Sequence, residues 1–141
     1  MAIREHPKIG TILMCDFDSG FTPPEMVKRR PVVVVSPKIV ARPGLCTVVP
    51  LSTTAPDPVM QFHCQIDLPD LLPDWLDKKG VWVKADMMVA VALSRLDFIR
   101  LAKSRQGKRE YCFSTITSDN LRTIRGCILA GLGLAHLTKS L

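Results

Sequence analysis

No apolar run in this 141-residue chain approaches the roughly 20 residues that a membrane-spanning helix requires. Nor does the amino terminus look like a secretory leader. Met1-Ala2-Ile3-Arg4-Glu5-His6-Pro7 carries a carboxylate and a proline where a leader needs an unbroken apolar core, so the expected location is cytoplasmic, with no membrane partner. There is no CxxC pair, and the cysteines (Cys15, Cys46, Cys64, Cys112 and Cys127) are odd in number. They read as core thiols in a reducing compartment rather than a disulfide framework. His6, His63 and His136 lie far apart and beside no ligand partners, which argues against a metal site and against a Cys-His nucleophilic pair. Nucleotide loops of the GxGxxG or GxxxxGK kind are also missing, as are internal repeats and low-complexity tracts. The expectation is a protein with no cofactor and no metal.

What remains is an ordinary globular composition, 47% hydrophobic and 23% charged. The length suits one domain, residues 1–141, able to bury about two-thirds of its unfolded surface. A net charge of +6 favours a polyanionic partner only modestly. Its distribution says more. Arg100 to Arg109 carries five cations and no carboxylate, whereas Asp67 to Asp77 carries four carboxylates and no cation. Charges separated in this way set up a polar field.

Along the chain, residues 9–17 predict a first strand, closed by Asp16-Phe17-Asp18. Ser19 to Pro24 cannot be regular structure, because paired prolines deny backbone donors. This loop ends near Arg30 and is placed to act as a lid. Residues 31–36 and 45–51 are strands, Val59 to Ile66 alternates as a half-buried strand, and Leu68 to Leu76 suits a turn or short helix. Val81 to Ala92 predicts a strand with a bend near Ala85-Asp86, and Leu96 to Arg100 another short one. Ser118-Asp119-Asn120 starts a helix whose apolar stripe is Leu121, Ile124, Ile128 and Leu132, and Gly131 and Gly133 end it. The fold class is therefore mainly β (α+β), a small, strongly bent antiparallel barrel with a C-terminal helix.

The chemistry gathers around two strands. Lys28-Arg29-Arg30 runs into Pro31 and four consecutive valines, and Cys46 to Leu51 runs out into Ser52-Thr53-Thr54. A guanidinium offers a planar fork of donors that matches phosphate oxygens and stays charged. If the strands are sheet neighbours, guanidinium and hydroxyls meet at one rim. Each half also has a plainer reading, a solvated strand end and hydroxyls bonded within a turn.

The combination of Gly10-Thr11-Ile12-Leu13, Asp16-Phe17-Asp18, Glu25, Arg30-Pro31, the valine strand with Ser36-Pro37, Val49-Pro50-Leu51-Ser52-Thr53 and Lys84-Ala85-Asp86 resembles the MazF/PemK (Kid) toxins. These are small ribonucleases of bacterial toxin–antitoxin pairs. The resemblance implies an SH3-like barrel with a packed helix, and cleavage of single-stranded RNA in which the ribose 2′-hydroxyl attacks its own phosphate. The products would be a 2′,3′-cyclic phosphate and a free 5′-hydroxyl, with no metal required. It implies Arg30 as the group that stabilises the phosphorane and Ser52 as a donor to a non-bridging oxygen, with Thr53 beside it. Lys28, Arg29, Glu25, Lys84 and Asp86 would lie along the RNA-binding surface.

The partners implied are a homodimeric second copy and an antitoxin with a DNA-binding amino terminus and an acidic tail, which would compete with RNA for the cleft beside Lys28 and Arg29. Ser52 stands where relatives use threonine, Met87 where they often use glutamine, and the 19–27 and 67–79 segments are longer than in compact members. The alternative is a non-catalytic barrel of the same fold, an RNA-binding module or a gyrase poison like the CcdB toxins. The latter family depends on a tail tryptophan that Thr138-Lys139-Ser140-Leu141 does not have.

Overall fold

The valine run organises the molecule. A computed structural model of the chain describes residues 2–141. In it, β2 (Arg29–Val34) holds Val32, Val33 and Val34 fully buried. β-Branched side chains suit a pleat that is packed on both faces, so this strand becomes a central one. On one edge it pairs antiparallel with β1 (Ile12–Asp16) and on the other with β3 (Leu45–Ser52). The far edge of β3 is shared. Its first half pairs with β6 (Val89–Ala92), and Leu51 and Ser52 pair with β5 (Val81–Lys84), which carries β4 (His63–Ile66) beyond it. β7 (Leu96–Phe98) lies along the outer edge of β1. The result is one antiparallel sheet that does not close, with β4 and β7 at the ends of its path, and one long helix, α1 (Ser118–Gly131).

Alternation splits the sheet between two cores, since successive side chains on a strand point to opposite faces. Val33, Val49, Leu51 and Val83 meet Ile124 and Cys127 of α1, together with Leu68, Leu72 and Leu76 from the loop before β5. Val32, Val34, Cys46 and Val48 instead meet Leu13, Cys15, Phe17, Val91 and Leu96, with Phe21 and Met26 packed on top. α1 is capped by Thr117, whose Oγ1 accepts the Asn120 N–H at 3.1 Å. That is one residue earlier than the Ser-Asp-Asn start suggests, and it satisfies a donor that the first turn leaves open.

Several boundaries differ from those the pattern predicts. Only His63–Ile66 of the 59–66 stretch is a strand. A tight turn precedes it, in which the His63 N–H donates to the Met60 carbonyl and the Met60 N–H donates to His63 Nδ1, both at 3.0 Å. β1 is shorter than 9–17, β2 begins two residues before Pro31 and ends at Val34, and β7 stops at Phe98. The bend near Ala85-Asp86 is a 3₁₀ turn over Ala85–Met87 that divides β5 from β6. The helical stripe is shifted as well. Leu132 lies beyond the last turn and is 60% exposed, while Cys127 takes the inward position. Among the described residues, no helix is long and apolar enough to cross a membrane.

Ile124 is fully buried where the helix meets the sheet. Ile124→Ala should therefore destabilise the fold by about 2–5 kcal/mol through lost burial and a residual cavity. Urea unfolding should show it as a lower midpoint with little change in slope.

Candidate active site at the sheet rim

The β2–β3 ladder sets Val32 against Pro50, Val33 against Val49 and Val34 against Val48. That ladder ends at Val32–Pro50, and Arg30 and Ser52 stand two residues beyond it at the same end of the two strands. Both continue the even-numbered series of their strands, so they belong to one face of the sheet, the face under the 17–28 loop. Further strand pairs extend the row on either side. Ser52 pairs with Trp82 and Trp82 with Gln65, while Arg30 pairs with Cys15. Amide, indole, hydroxyl and guanidinium thus line up across four neighbouring strands at one end of the sheet.

Arg30 Nε donates to the Val27 carbonyl at 3.2 Å, which steers the guanidinium, and among the described residues it makes no ion pair. Ser52 is only 8% exposed, and its Oγ accepts the Thr54 N–H at 3.1 Å, with the Thr54 carbonyl 3.5 Å away. The turn chemistry therefore holds. It orients the hydroxyl, and the long contact to the carbonyl leaves its proton only weakly engaged. Burial pushes the Cys15 thiol up to about 12 despite the nearby Arg95 guanidinium, so the thiol next to Arg30 in the row stays protonated and is no nucleophile at neutral pH.

The remaining predicted residues divide between places. Glu25 and Asp86 line one cleft of about 410 Å³, together with Phe17, Phe21 and Met88. Lys84 is half-buried on β5, opposite His63, whose Nε2 lies 3.7 Å from Asp86 Oδ1. Lys28 is exposed and holds a left-handed φ of 71°, and its carbonyl accepts the Phe17 N–H at 2.9 Å to close the base of the loop. Arg29 points to the opposite face from Arg30 and pairs with Asp97 at 3.6 Å. Thr53 differs from Ser52 in exposure. It is exposed and lines a different cavity, of about 300 Å³, with Asp70, Asp74 and Asp77. Among the described residues, no three His, Cys, Asp or Glu side chains converge as metal ligands would.

Two residues here escape motif reading. Trp82 carries only the weak signal of lying between the buried Val81 and Val83. Arg95 carries none, yet it clamps the 17–28 loop. Its Nη1 donates to the Asp16 and Ser19 carbonyls at 3.1 and 2.7 Å, and its guanidinium lies 4.8 Å from the centre of the Phe21 ring. Phe21 in turn meets Phe17 edge-on at 5.1 Å. The expected lid is thus a fastened loop.

The family model of PemK-like, MazF-like toxins of type II toxin–antitoxin systems matches residues 8–125. The chain is 34% identical over 118 residues to the uncharacterised protein YifN of Escherichia coli (strain K12), covering 71% of this chain and 78% of that protein. It is 36% identical over 109 residues to an uncharacterised protein of Haemophilus influenzae, covering 68% and 73%. Among solved structures, an endoribonuclease in complex with its cognate antitoxin from a Mycobacterial species aligns with a TM-score of 0.58 at 19% identity, over 91% of this chain and 96% of that one. MazF from Deinococcus radiodurans aligns at 0.57 and 23% identity, over 91% and 97%. At these identities the structural likeness speaks for the fold.

The clamp yields a prediction. Arg95→Ala should speed amide hydrogen exchange at residues 17–28 by on the order of tenfold or more while β2 and β3 stay protected, as local opening requires. Exchange by mass spectrometry reads both regions in one experiment.

Proposed function

The chain belongs to the PemK-like, MazF-like toxin family, and on that premise we propose that it is an endoribonuclease that cleaves single-stranded RNA without a divalent ion. The observation that carries this reading is the β2–β3 register, which directs Arg30 and Ser52 to one face of one rim. RNA supplies its own nucleophile, so the protein has to hold the phosphate, align the 2′-hydroxyl in line with the leaving 5′-oxygen and offset the charge that develops.

Arg30 does the last of these. Its Nε is held by Val27, and the terminal nitrogens are left to face a phosphorane. The Ser52 hydroxyl, oriented by the Thr54 N–H, donates to a non-bridging oxygen. Thr53 follows Ser52 in the same turn and is exposed, so its hydroxyl offers a second donor beside Ser52. Trp82, directly across from Ser52, offers a half-buried indole on which a base next to the scissile phosphate stacks. Lys28, Glu25, Lys84 and Asp86 flank this row and bind the RNA strand on either side.

The exposed cations at Lys28 and Arg29 also suit an acidic antitoxin tail that folds on binding and competes with RNA. Structural neighbours include a MazE–MazF assembly from Deinococcus radiodurans, which supports an antitoxin partner here. A homodimer in the cytoplasm completes the reading. Leu132, Leu134, Leu137 and Leu141 leave apolar surface exposed at the C-terminal end that a second copy would cover.

Purified protein should cut single-stranded RNA in the presence of EDTA and leave a fully 2′-deoxy analogue intact. Equal cleavage of the deoxy strand, or loss of activity on chelation, would overturn the mechanism. Arg30→Ala should lower turnover by about 10²-fold or more, as the loss of a preorganised donor does. Arg29→Ala should instead weaken binding and reduce its salt dependence, with turnover at saturation retained. Single-turnover cleavage at saturating RNA separates the two, and equal losses of rate would remove Arg30 from its assigned role.

A further inference from the structure

Behind the rim, on the face opposite Arg30, lies a cleft of about 550 Å³ lined by Arg29, Trp75, Asp97, Phe98 and Arg100, with Met14 and Ile99 at its floor. Trp75 stands out in it. It is 65% exposed, although the leucines on either side of it in the loop, Leu72 and Leu76, are buried in the core. The loop is thus fastened by its leucines while its largest apolar side chain is presented to solvent. Phe98 borders the cleft through its strand, while its ring lies with the loop-covered core across the sheet and meets Phe113 edge-on at 4.7 Å.

A second feature leads away from this cleft. Residues 99–112 fold back as a hairpin, with the Cys112 N–H bonded to the Ile99 carbonyl and the Leu101 N–H to the Glu110 carbonyl, both at 2.8 Å. Its tip is closed by the Ser104 N–H to the Lys108 carbonyl at 2.8 Å. The carboxylate-free run of five cations therefore sits on a defined arm whose root, Arg100, is in the cleft. An indole sharing a cleft with two guanidiniums, with a basic arm leading away, has the mixed aromatic and cationic character of a single-strand surface. The ring stacks a base, and the cations beside it carry its phosphates.

We propose that this cleft is a second nucleotide subsite, in which Trp75 stacks a base of the RNA while Arg29 and Arg100 hold the neighbouring phosphates, so that the strand crosses the rim from Arg30 and leaves along the 99–112 arm. The proposal rests on the RNA-cleaving reading above and extends it. Adjacent residues on β2 reach the two faces, Arg30 one and Arg29 the other, which makes the subsites continuous over a single strand end. Asp97 opposes binding, because its carboxylate already pairs with Arg29 and repels phosphate. That conflict provides a test of sign. Neutralising Asp97 strengthens RNA binding if the cleft holds phosphates, and a purely structural role for the residue gives no such gain.

The probe is a mixed-sequence 2′-O-methyl oligoribonucleotide, whose blocked nucleophile separates binding from cleavage, titrated against the full chain and followed by fluorescence anisotropy. Trp75→Ala should weaken binding about tenfold at low and high salt alike, since stacking is little screened. Arg100→Ala should lower the slope of log Kd against log salt by about one. Asp97→Asn should tighten binding. Circular dichroism confirms that each variant is folded. Wild-type protein that binds and cleaves RNA while Trp75→Ala and Arg100→Ala bind as it does would overturn the subsite and leave the catalytic reading intact. Wild-type protein that neither binds nor cleaves RNA would overturn both. Trp75→Ala that alters only the mass by light scattering, or only the affinity for a Glu/Asp-rich peptide, would show the cleft to be an interface with another protein and overturn the proposal.

Discussion

The pairing of β2 with β3 is the constraint on which the rest of this structure depends. Both strands are buried on both faces, so each backbone N–H and C=O along them needs a partner in the neighbouring strand. A one-residue slip would exchange the two side-chain sets, moving Val33 and Val49 from the helix-covered core into the loop-covered one. The same slip would turn Ser52 away from Arg30. Stability and site geometry thus share a single register, and neither can shift without the other.

From that register follows the division of labour between the faces. The helix face is closed by Ile124 and Cys127 and by the leucines of the loop before β5, which leaves that loop's polar and aromatic residues outside. The other face is closed by Phe17, Phe21 and Met26 from the loop between β1 and β2, and there the covering element itself lies over the site. Arg95 ties this loop down through two backbone carbonyls and an aromatic ring. A cation used in this way rigidifies the loop over the Arg30 face and adds positive charge beside it.

Much of this architecture is legible in the sequence. The valine run, the polar Ser-Thr-Thr exit and the paired prolines act over a few residues, and β-branching, turn chemistry and missing donors have their effect locally. Strand identity, the antiparallel class, the C-terminal helix and the types of chemical group at the rim were accordingly legible. The 59–62 alternation misled because a side-chain acceptor, His63 Nδ1, stabilises a turn there that period-two patterning does not reveal.

The sequence by itself determined which segments are strands, where regular structure must stop and that a guanidinium and a hydroxyl stand at strand ends. Only the tertiary structure decided that those strands are neighbours, that Ser52 is buried while Thr53 is exposed and lines a cavity, and that Trp82 stands across from Ser52. It likewise decided that Arg95 reaches partners 76 and 79 residues away, and that Trp75 shares a cleft with Arg29 and Arg100. The reason is physical. Propensity acts between residues close in the chain, whereas register and exposure are settled when distant segments compete to bury the same apolar surface.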